Sequence, residues 1–258
     1  MDLGIAGRTA LVCGSTRGLG RACAEALARE GVTVYINGRD AARLDEALRE
    51  LKLIGAHIHA VQGDVGTLEG RSALLAACPH PDILVNNNAG PSPGPFGSFD
   101  HEAWMGAIES NMVAPIQLVQ AVLPAMRERK FGRIINITSA MVTTPRPHMT
   151  LSAGARAGLT AVMKGLSFET ARDNVTINNL LPERFDTDRQ QQMARVAMQR
   201  DGISYEEARR RQVESIAARR LGRPEEFGAM CAFLCSEFAG FISGQNVHLD
   251  GGSYPALV

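Results

Sequence analysis

Short apolar runs alternate along the chain with longer stretches in which apolar positions recur every three or four residues. The short runs predict strands at residues 10–12, 32–36, 57–61, 82–86, 133–137, 176–180 and 246–249. The periodic stretches predict helices after residue 18 and over 40–53, 68–78, 100–127, 152–172 and 224–235. Alternation of this kind folds as βαβ units with right-handed crossovers, so that helices cover both faces of a parallel sheet. The expected fold is α/β, a single-domain, Rossmann-type doubly wound parallel sheet of about seven strands over residues 1–258. Residues 186–220 are charged and helix-prone, too polar for the sheet core. A helical insertion or lid is expected at about 183–220.

Composition changes this picture mainly by exclusion. A hydrophobic content of 45% suits a sizeable core, and 27 basic residues balance 27 acidic ones. No global field favours nucleic acid or an anionic membrane. No apolar run reaches the roughly 18 residues that a spanning helix needs, and no signal pattern opens the chain. Five cysteines without framework spacing suit a reducing cytoplasm. Cys231 and Cys235 lie one helical turn apart but lack further ligands nearby, so they read as core and no metal is expected.

The first candidate chemistry is the turn after the first strand. Residues 14–20 read G-S-T-R-G-L-G and lead into a helix with Leu19, Ala22, Cys23, Ala26 and Leu27 on one face. Strand, glycine turn and helix together place a pyrophosphate on a helix N-terminus. Gly14 permits the turn, Gly18 lets backbone approach phosphate, and Gly20 lets the helix pack closely; Ser15, Thr16, Arg17 and Leu19 complete the turn.

Motifs further along carry a resemblance. Gly14, Gly18 and Gly20 are followed by Asp64-Val65, Asn87-Asn88-Ala89-Gly90, Asn111, Ser139, Pro182 with Thr187, L-G-R-P-E-E at 221–226 and S-G-Q-N-V-H-L-D-G-G at 243–252. Over nearly its whole length the chain resembles the short-chain dehydrogenase/reductases, and within them the 3-oxoacyl-acyl-carrier-protein reductase-like group. The resemblance implies a nicotinamide dinucleotide, a small-molecule or acyl-thioester substrate, and a homotetramer paired through the helices at 100–127 and 152–172. It implies cofactor contacts at Asp64, Val65, Asn88, Ala89, Gly90 and Pro182, with strand-end capping as a further use of residues 86–88. NAD binders place an acid about 20 residues after the glycines. Here the second strand ends Asn37-Gly38-Arg39, and Arg39, joined by Arg17, can pair with a 2′-phosphate. Asp40 reads as a helix N-cap. NADP is therefore expected over NAD.

The family reduces carbonyls with asparagine, serine, tyrosine and lysine. Asn111 and Ser139 match the first two. Pro115 has no N–H to give the Asn111 carbonyl, which can then bind water. The Y-x-x-x-K pattern falls on S-A-G-A-R, with Ser152 at the tyrosine position and Arg156 at the lysine position, as in a variant branch of the family. A serine hydroxyl is far less acidic than a phenol, and arginine keeps its proton. Ser139, Ser152 and Arg156 can hold an oxyanion but are poor proton donors. Arg156 can still bind ribose hydroxyls. His148 and Tyr205 are weaker candidates for the donor. Two functions follow: a slow NADP-dependent carbonyl/hydroxyl oxidoreductase, or a catalytically weak or inactive NADP-binding sensor or subunit.

Overall fold

The computed structural model describes residues 1–54 and 57–257. Its centre is β1 (Thr9–Val12), which pairs in parallel with β2 (Thr33–Gly38) on one side and β4 (Ile83–Asn86) on the other. β3 (Ile58–Gln62) extends the sheet beyond β2. β5 (Gly132–Ile137), β6 (Val175–Pro182) and β7 (Asn246–Leu249) extend it beyond β4, giving seven strands in the order β3-β2-β1-β4-β5-β6-β7. All pairs are parallel, as expected for an α/β doubly wound sheet.

Helices cover both faces. They are α1 (Gly18–Arg29), α2 (Ala41–Lys52), α3 (Leu68–Ala77), α4 (His101–Ile108), α5 (Ala114–Glu128), α6 (Thr150–Thr170), α7 (Asp188–Asp201), α8 (Tyr205–Glu214) and α9 (Pro224–Cys235). One core joins α1, α2 and α9 to the sheet through Cys23, Leu27, Leu44, Leu51, Phe227 and Cys231. The opposite core joins α3, α5 and α6 through Leu74, Leu118, Val122, Leu159 and Met163. Strand residues alternate between these cores because successive side chains leave opposite faces. Val12, Val85 and Ile135 belong to the first, and Leu11, Leu84 and Ile134 to the second.

Two segments depart from the simple reading. The helix expected over 100–127 is interrupted at Glu109–Val113 by a π turn, in which the Ala114 N–H reaches back to the Glu109 carbonyl. Pro115 supplies the reason, since a missing N–H breaks the α-helical register. The charged insertion forms two helices, α7 and α8, joined at Gly202 with φ +65°. Its stem is fixed: Asp186 N donates to the Gly222 carbonyl at 2.8 Å, and Gly222 N to the Arg184 carbonyl at 2.9 Å. Phe185 then packs edge-on against Phe227 with ring centroids 5.3 Å apart. No helix of the described residues is long and apolar enough to cross a membrane.

Candidate active site

The strand order reverses between β1 and β4, and ligands of open α/β sheets bind beyond the C-terminal strand ends at such a point. The loops leaving β1 and β4 meet there. Cys13 N donates to the Val85 carbonyl at 3.0 Å, and Asn87 Nδ2 to the Gly14 carbonyl at 2.9 Å. Gly14 and Gly18 adopt φ of +53° and +61°, conformations costly for any residue with a Cβ. A Cβ on Gly20 would lie 2.4 Å from the Gly14 carbonyl oxygen, so Gly20 is required by close approach of α1 to the turn itself.

The first turn of α1 has no side-chain cap, a property it shares with α5, α6, α7 and α9 but not with the remaining helices. Asp40, Thr67, Asp100 and Ser204 cap α2, α3, α4 and α8 with side-chain oxygens, whereas Arg17 gives α1 no such cap. Uncapped N–H groups at a helix N-terminus are the donors a pyrophosphate takes. The residues present therefore fit a dinucleotide. Ser15 is buried and turns inward, donating to the Val12 carbonyl at 2.7 Å and accepting from Asn37 N at 2.9 Å. Thr16 packs against Gly38, where a Cβ would lie 2.4 Å from its methyl group; Leu19 is half-buried.

The two arginines expected to share a 2′-phosphate diverge. Arg39 is exposed at the end of β2, with Nη1 3.4 Å from Asp64 Oδ2. Arg17 reaches the insertion instead, with Nη1 3.2 Å from Asp188 Oδ2. Asp40 accepts from Arg43 N at 3.0 Å, the cap expected of it. Asp64 also accepts from Gly66 N at 2.8 Å, and Val65 is buried with its carbonyl taken by Arg71.

On the other side of the cleft, Asn88 Nδ2 donates to the Ser110 carbonyl at 3.1 Å and its Oδ1 accepts from Ala89 N. This ties the β4 loop to the π turn. Asn111 is buried within that turn; its Nδ2 donates to Ser110 Oγ at 2.8 Å, and its Oδ1 has no partner among the described residues. Ser139 follows β5 and accepts from Met141 N at 3.1 Å, which leaves its own O–H available. Ser152 is buried on α6.

Arg156, one turn after Ser152, is only 7% exposed. Its Nη1 donates to the Ile137 carbonyl at 2.6 Å and the Thr138 carbonyl at 3.0 Å, and its Nη2 reaches the Asn88 carbonyl at 3.4 Å. Burial, and then the Arg189 charge, push the guanidinium down to about 10, so it remains a cation at neutral pH. Gly90 closes over it: a Cβ there would lie 3.6 Å from Arg156 Nη2. Pro182 ends β6 in register with Leu249.

Glu183, which follows Pro182, turns inward. It accepts from Arg146 at 2.7 Å and lies 3.6 Å from Arg184. His148 is largely exposed; its partial desolvation, followed by the charges of Arg146, Arg200 and Arg184, lowers its pKa below the ordinary value. Tyr205 opens α8 in the insertion. No cluster of three or more His, Cys, Asp or Glu among the described residues is placed to hold a metal.

Two sets of supporting residues escape sequence reading. Asn37, buried in β2, accepts from Gly14 N at 3.2 Å and donates to the Val61 and Gly63 carbonyls. Asn86, Asn136, Asn179 and Asn246 form a ladder across β4 to β7, each Nδ2 donating to the next Oδ1 at 2.8–3.0 Å. The available signal was a lone asparagine inside an otherwise apolar strand, as in R-I-I-N-I.

The short chain dehydrogenase family model matches residues 8–196. The chain belongs to that family of oxidoreductases. It is similar to the NADPH-dependent reductase BacG of Bacillus subtilis, at 30% identity over 97% of this chain and 99% of that protein. It is equally similar, at 30% identity over 98% of this chain and 100% of the other, to the 3-oxoacyl-[acyl-carrier-protein] reductase FabG of Aquifex aeolicus. Among solved structures, L-sorbose reductase from Gluconobacter frateurii, complexed with NADPH and L-sorbose, superposes with a TM-score of 0.94 at 30% identity, all of both chains being covered.

Proposed function

We propose that this chain is an NADP(H)-dependent oxidoreductase that interconverts a carbonyl and a hydroxyl group, similar to 3-oxoacyl-thioester reductases, and that it turns over slowly. The observation that carries the cofactor choice is the end of β2. The Asp40 carboxylate there is held by the helix it caps, and the neighbouring Arg39 guanidinium is exposed. An acid committed to capping is poorly placed for a ribose 2′-hydroxyl, and an exposed guanidinium suits a 2′-phosphate. NADPH-dependent reductases among the relatives support the same choice.

In this reading α1 and the glycine turn receive the pyrophosphate, while Asp64, Val65, Asn88, Ala89, Gly90 and Pro182 flank the rest of the dinucleotide. The bound cofactor supplies or accepts the hydride. The Ser139 hydroxyl, with its oxygen fixed by Met141 N, donates to the substrate oxygen. Ser152 gives a second hydroxyl, and Arg156 a fixed positive charge that stabilises a developing oxyanion. None of these groups is a good acid near neutral pH, so the alkoxide left by hydride transfer takes its proton from water. Loss of general acid catalysis costs about 100- to 10,000-fold in rate.

A second reading, an NADP-binding sensor or regulatory subunit with little or no turnover, is favoured by one observation. The Arg156 guanidinium is engaged by three main-chain carbonyls, which ties it to the scaffold. Steady NADPH oxidation with ketones or 3-oxoacyl thioesters supports the enzyme. Tight NADPH binding without turnover on any of them supports the sensor. The variant carrying Ser152→Tyr and Arg156→Lys should raise turnover; an unchanged rate would show that proton donation was not limiting.

Assembly as a homotetramer fits the exposed Met105 of α4 and the exposed Val162 and Phe168 of α6. Light scattering that reports a monomer would remove that proposal.

A further inference from the structure

Two guanidinium groups converge on one short loop. Arg156 approaches the β4 loop from α6 and reaches the Asn88 carbonyl at 3.4 Å. Arg189, in the first turn of α7, approaches the same loop from the insertion, and its Nη2 donates to the Pro91 carbonyl at 3.2 Å. The only other hydrogen bond of the Arg189 side chain among the described residues goes to Gln192 Oε1, at 3.3 Å. Neither cation has a carboxylate partner there, although Arg17, Arg146, Arg184, Arg200 and Arg209 all do. The neighbouring acids are engaged elsewhere: Asp188 with Arg17, and Glu183 with Arg146 and Arg184.

Leaving two cations near each other and half or fully buried costs stability, and an anion between them removes that cost. Burial lowers the pKa of Arg189 below its ordinary value, and the Arg189 charge helps to lower that of Arg156. A half-buried guanidinium with N–H groups left over after its two hydrogen bonds is a donor set that takes a carboxylate or phosphate. The same loop also borders an open pocket of about 360 Å³, mainly apolar, lined among others by Ala89, Pro91, Phe99 and Leu151 with the serines Ser92 and Ser110. Arg189 thus donates to a residue, Pro91, that lines a mainly apolar pocket, and Leu151, next to Ser152, lines it too.

We propose that Arg189 is a specificity residue that receives an anionic group of the substrate, so that the preferred substrate is a carbonyl or hydroxyl compound with an apolar body and a carboxylate or phosphate. This deepens the oxidoreductase reading and rests on it. The anion has two chemical sources: the carboxylate of an oxo acid, or the phosphate on the pantetheine arm of a 3-oxoacyl thioester.

The test uses the full chain and matched pairs of probes. One arm compares 2-, 4- and 5-oxo-octanoate with their methyl esters. The other compares acetoacetyl-phosphopantetheine with acetoacetyl-pantetheine. Binding is followed by calorimetry without cofactor and with saturating NADP⁺, and kcat/KM is followed with NADPH. Anionic members of at least one arm should bind about tenfold or more tightly than their neutral partners. Arg189→Gln should abolish that ratio, Arg189→Lys should restore part of it, and Arg195→Gln, an exposed residue of the same helix, should leave it intact. The arm that shows the ratio names the source.

Equal binding within every pair, or a ratio unchanged in Arg189→Gln, would overturn the proposal. So would a loss in Arg189→Gln confined to NADPH affinity, which would make Arg189 a cofactor contact. An Arg189-dependent anion preference in a protein that binds no NADP(H) would sink the cofactor reading and leave this one standing. Firm NADP(H) binding without anion preference would sink this one alone.

Discussion

Arg156 Nη1 donates to the Ile137 carbonyl at 2.6 Å, so the cation at the family's lysine position is tied to the main chain of the sheet. Its further bonds to the Thr138 and Asn88 carbonyls make it a clasp between the ends of β5 and β4. Truncation would leave three carbonyls short of a donor and open a cavity. Arg156→Ala should therefore lose about 2–4 kcal/mol of stability. Arg156→Lys should lose less, because a single ammonium keeps the charge but cannot span both strand ends as a planar fork does. Urea denaturation with an unchanged m-value measures both. A loss below about 0.5 kcal/mol for the alanine variant would contradict a clasp.

The asparagine ladder makes a sharper prediction about position. Asn136 is at its centre, accepting from Asn86 and donating to Asn179. Asn136→Leu leaves a buried donor and a buried acceptor unpaired, at a cost of about 2–4 kcal/mol. Asn246 ends the ladder at an exposed position, so Asn246→Ala should cost about 1 kcal/mol or less. Thermal melts of the two variants should differ accordingly.

Gly18 and Gly20 should respond differently to alanine. Gly18 has φ +61°, but a Cβ there finds its nearest neighbour at 3.9 Å, on Thr187. The cost is backbone strain of about 1 kcal/mol. At Gly20 a Cβ would lie 2.4 Å from the Gly14 carbonyl oxygen and 2.6 Å from Asn87 Nδ2, so the turn or α1 must move. Gly20→Ala should cost more stability, about 1–3 kcal/mol, and should weaken dinucleotide binding more than Gly18→Ala. Denaturation and cofactor titration of the pair check the order.

The strands were legible because their apolar runs are short, separated by turn residues, and long enough to cross the sheet. β7 matches its expected limits, and α9 matches from Pro224 to Cys235. The glycine turn was legible for the same reason, as its flanks change period on either side. The site was legible only where one residue acts through one neighbour, as with Asp40 capping α2. Partners distant in sequence were not. Nothing around Arg17 points to Asp188, and nothing around Arg156 points to the carbonyls of residues 88, 137 and 138. Those pairings exist only once β4, β5 and α6 are side by side. The π turn lies between these cases: Pro115 marked the break, but the switch to an i→i−5 bond depends on how α4 and α5 both pack.

The cysteines give a pH-dependent prediction. Burial raises the Cys13 and Cys78 thiols to about 12, while hydrogen bonding with Cys23 for Cys231 and burial for Cys235 hold those two well above the ordinary value. Thiols of the unfolded chain ionise near pH ~8.5, so above that pH the unfolded state binds fewer protons than the folded one and stability falls. Native protein at pH 8 should resist iodoacetamide, and all five thiols should react after unfolding. Rapid labelling of Cys13 in the native state would contradict its burial.

In the proposed function the uncapped first turn of α1 receives the pyrophosphate and the exposed Arg39 selects the 2′-phosphate of NADP(H). Calorimetric titration of the protein with NADPH and with NADH, beside an Arg39→Ala variant, tests this most directly. NADPH should bind the unaltered protein about tenfold or more tightly than NADH, and the variant should lose that difference while still binding both. No heat with either nucleotide, or tighter binding of NADH, would contradict the account.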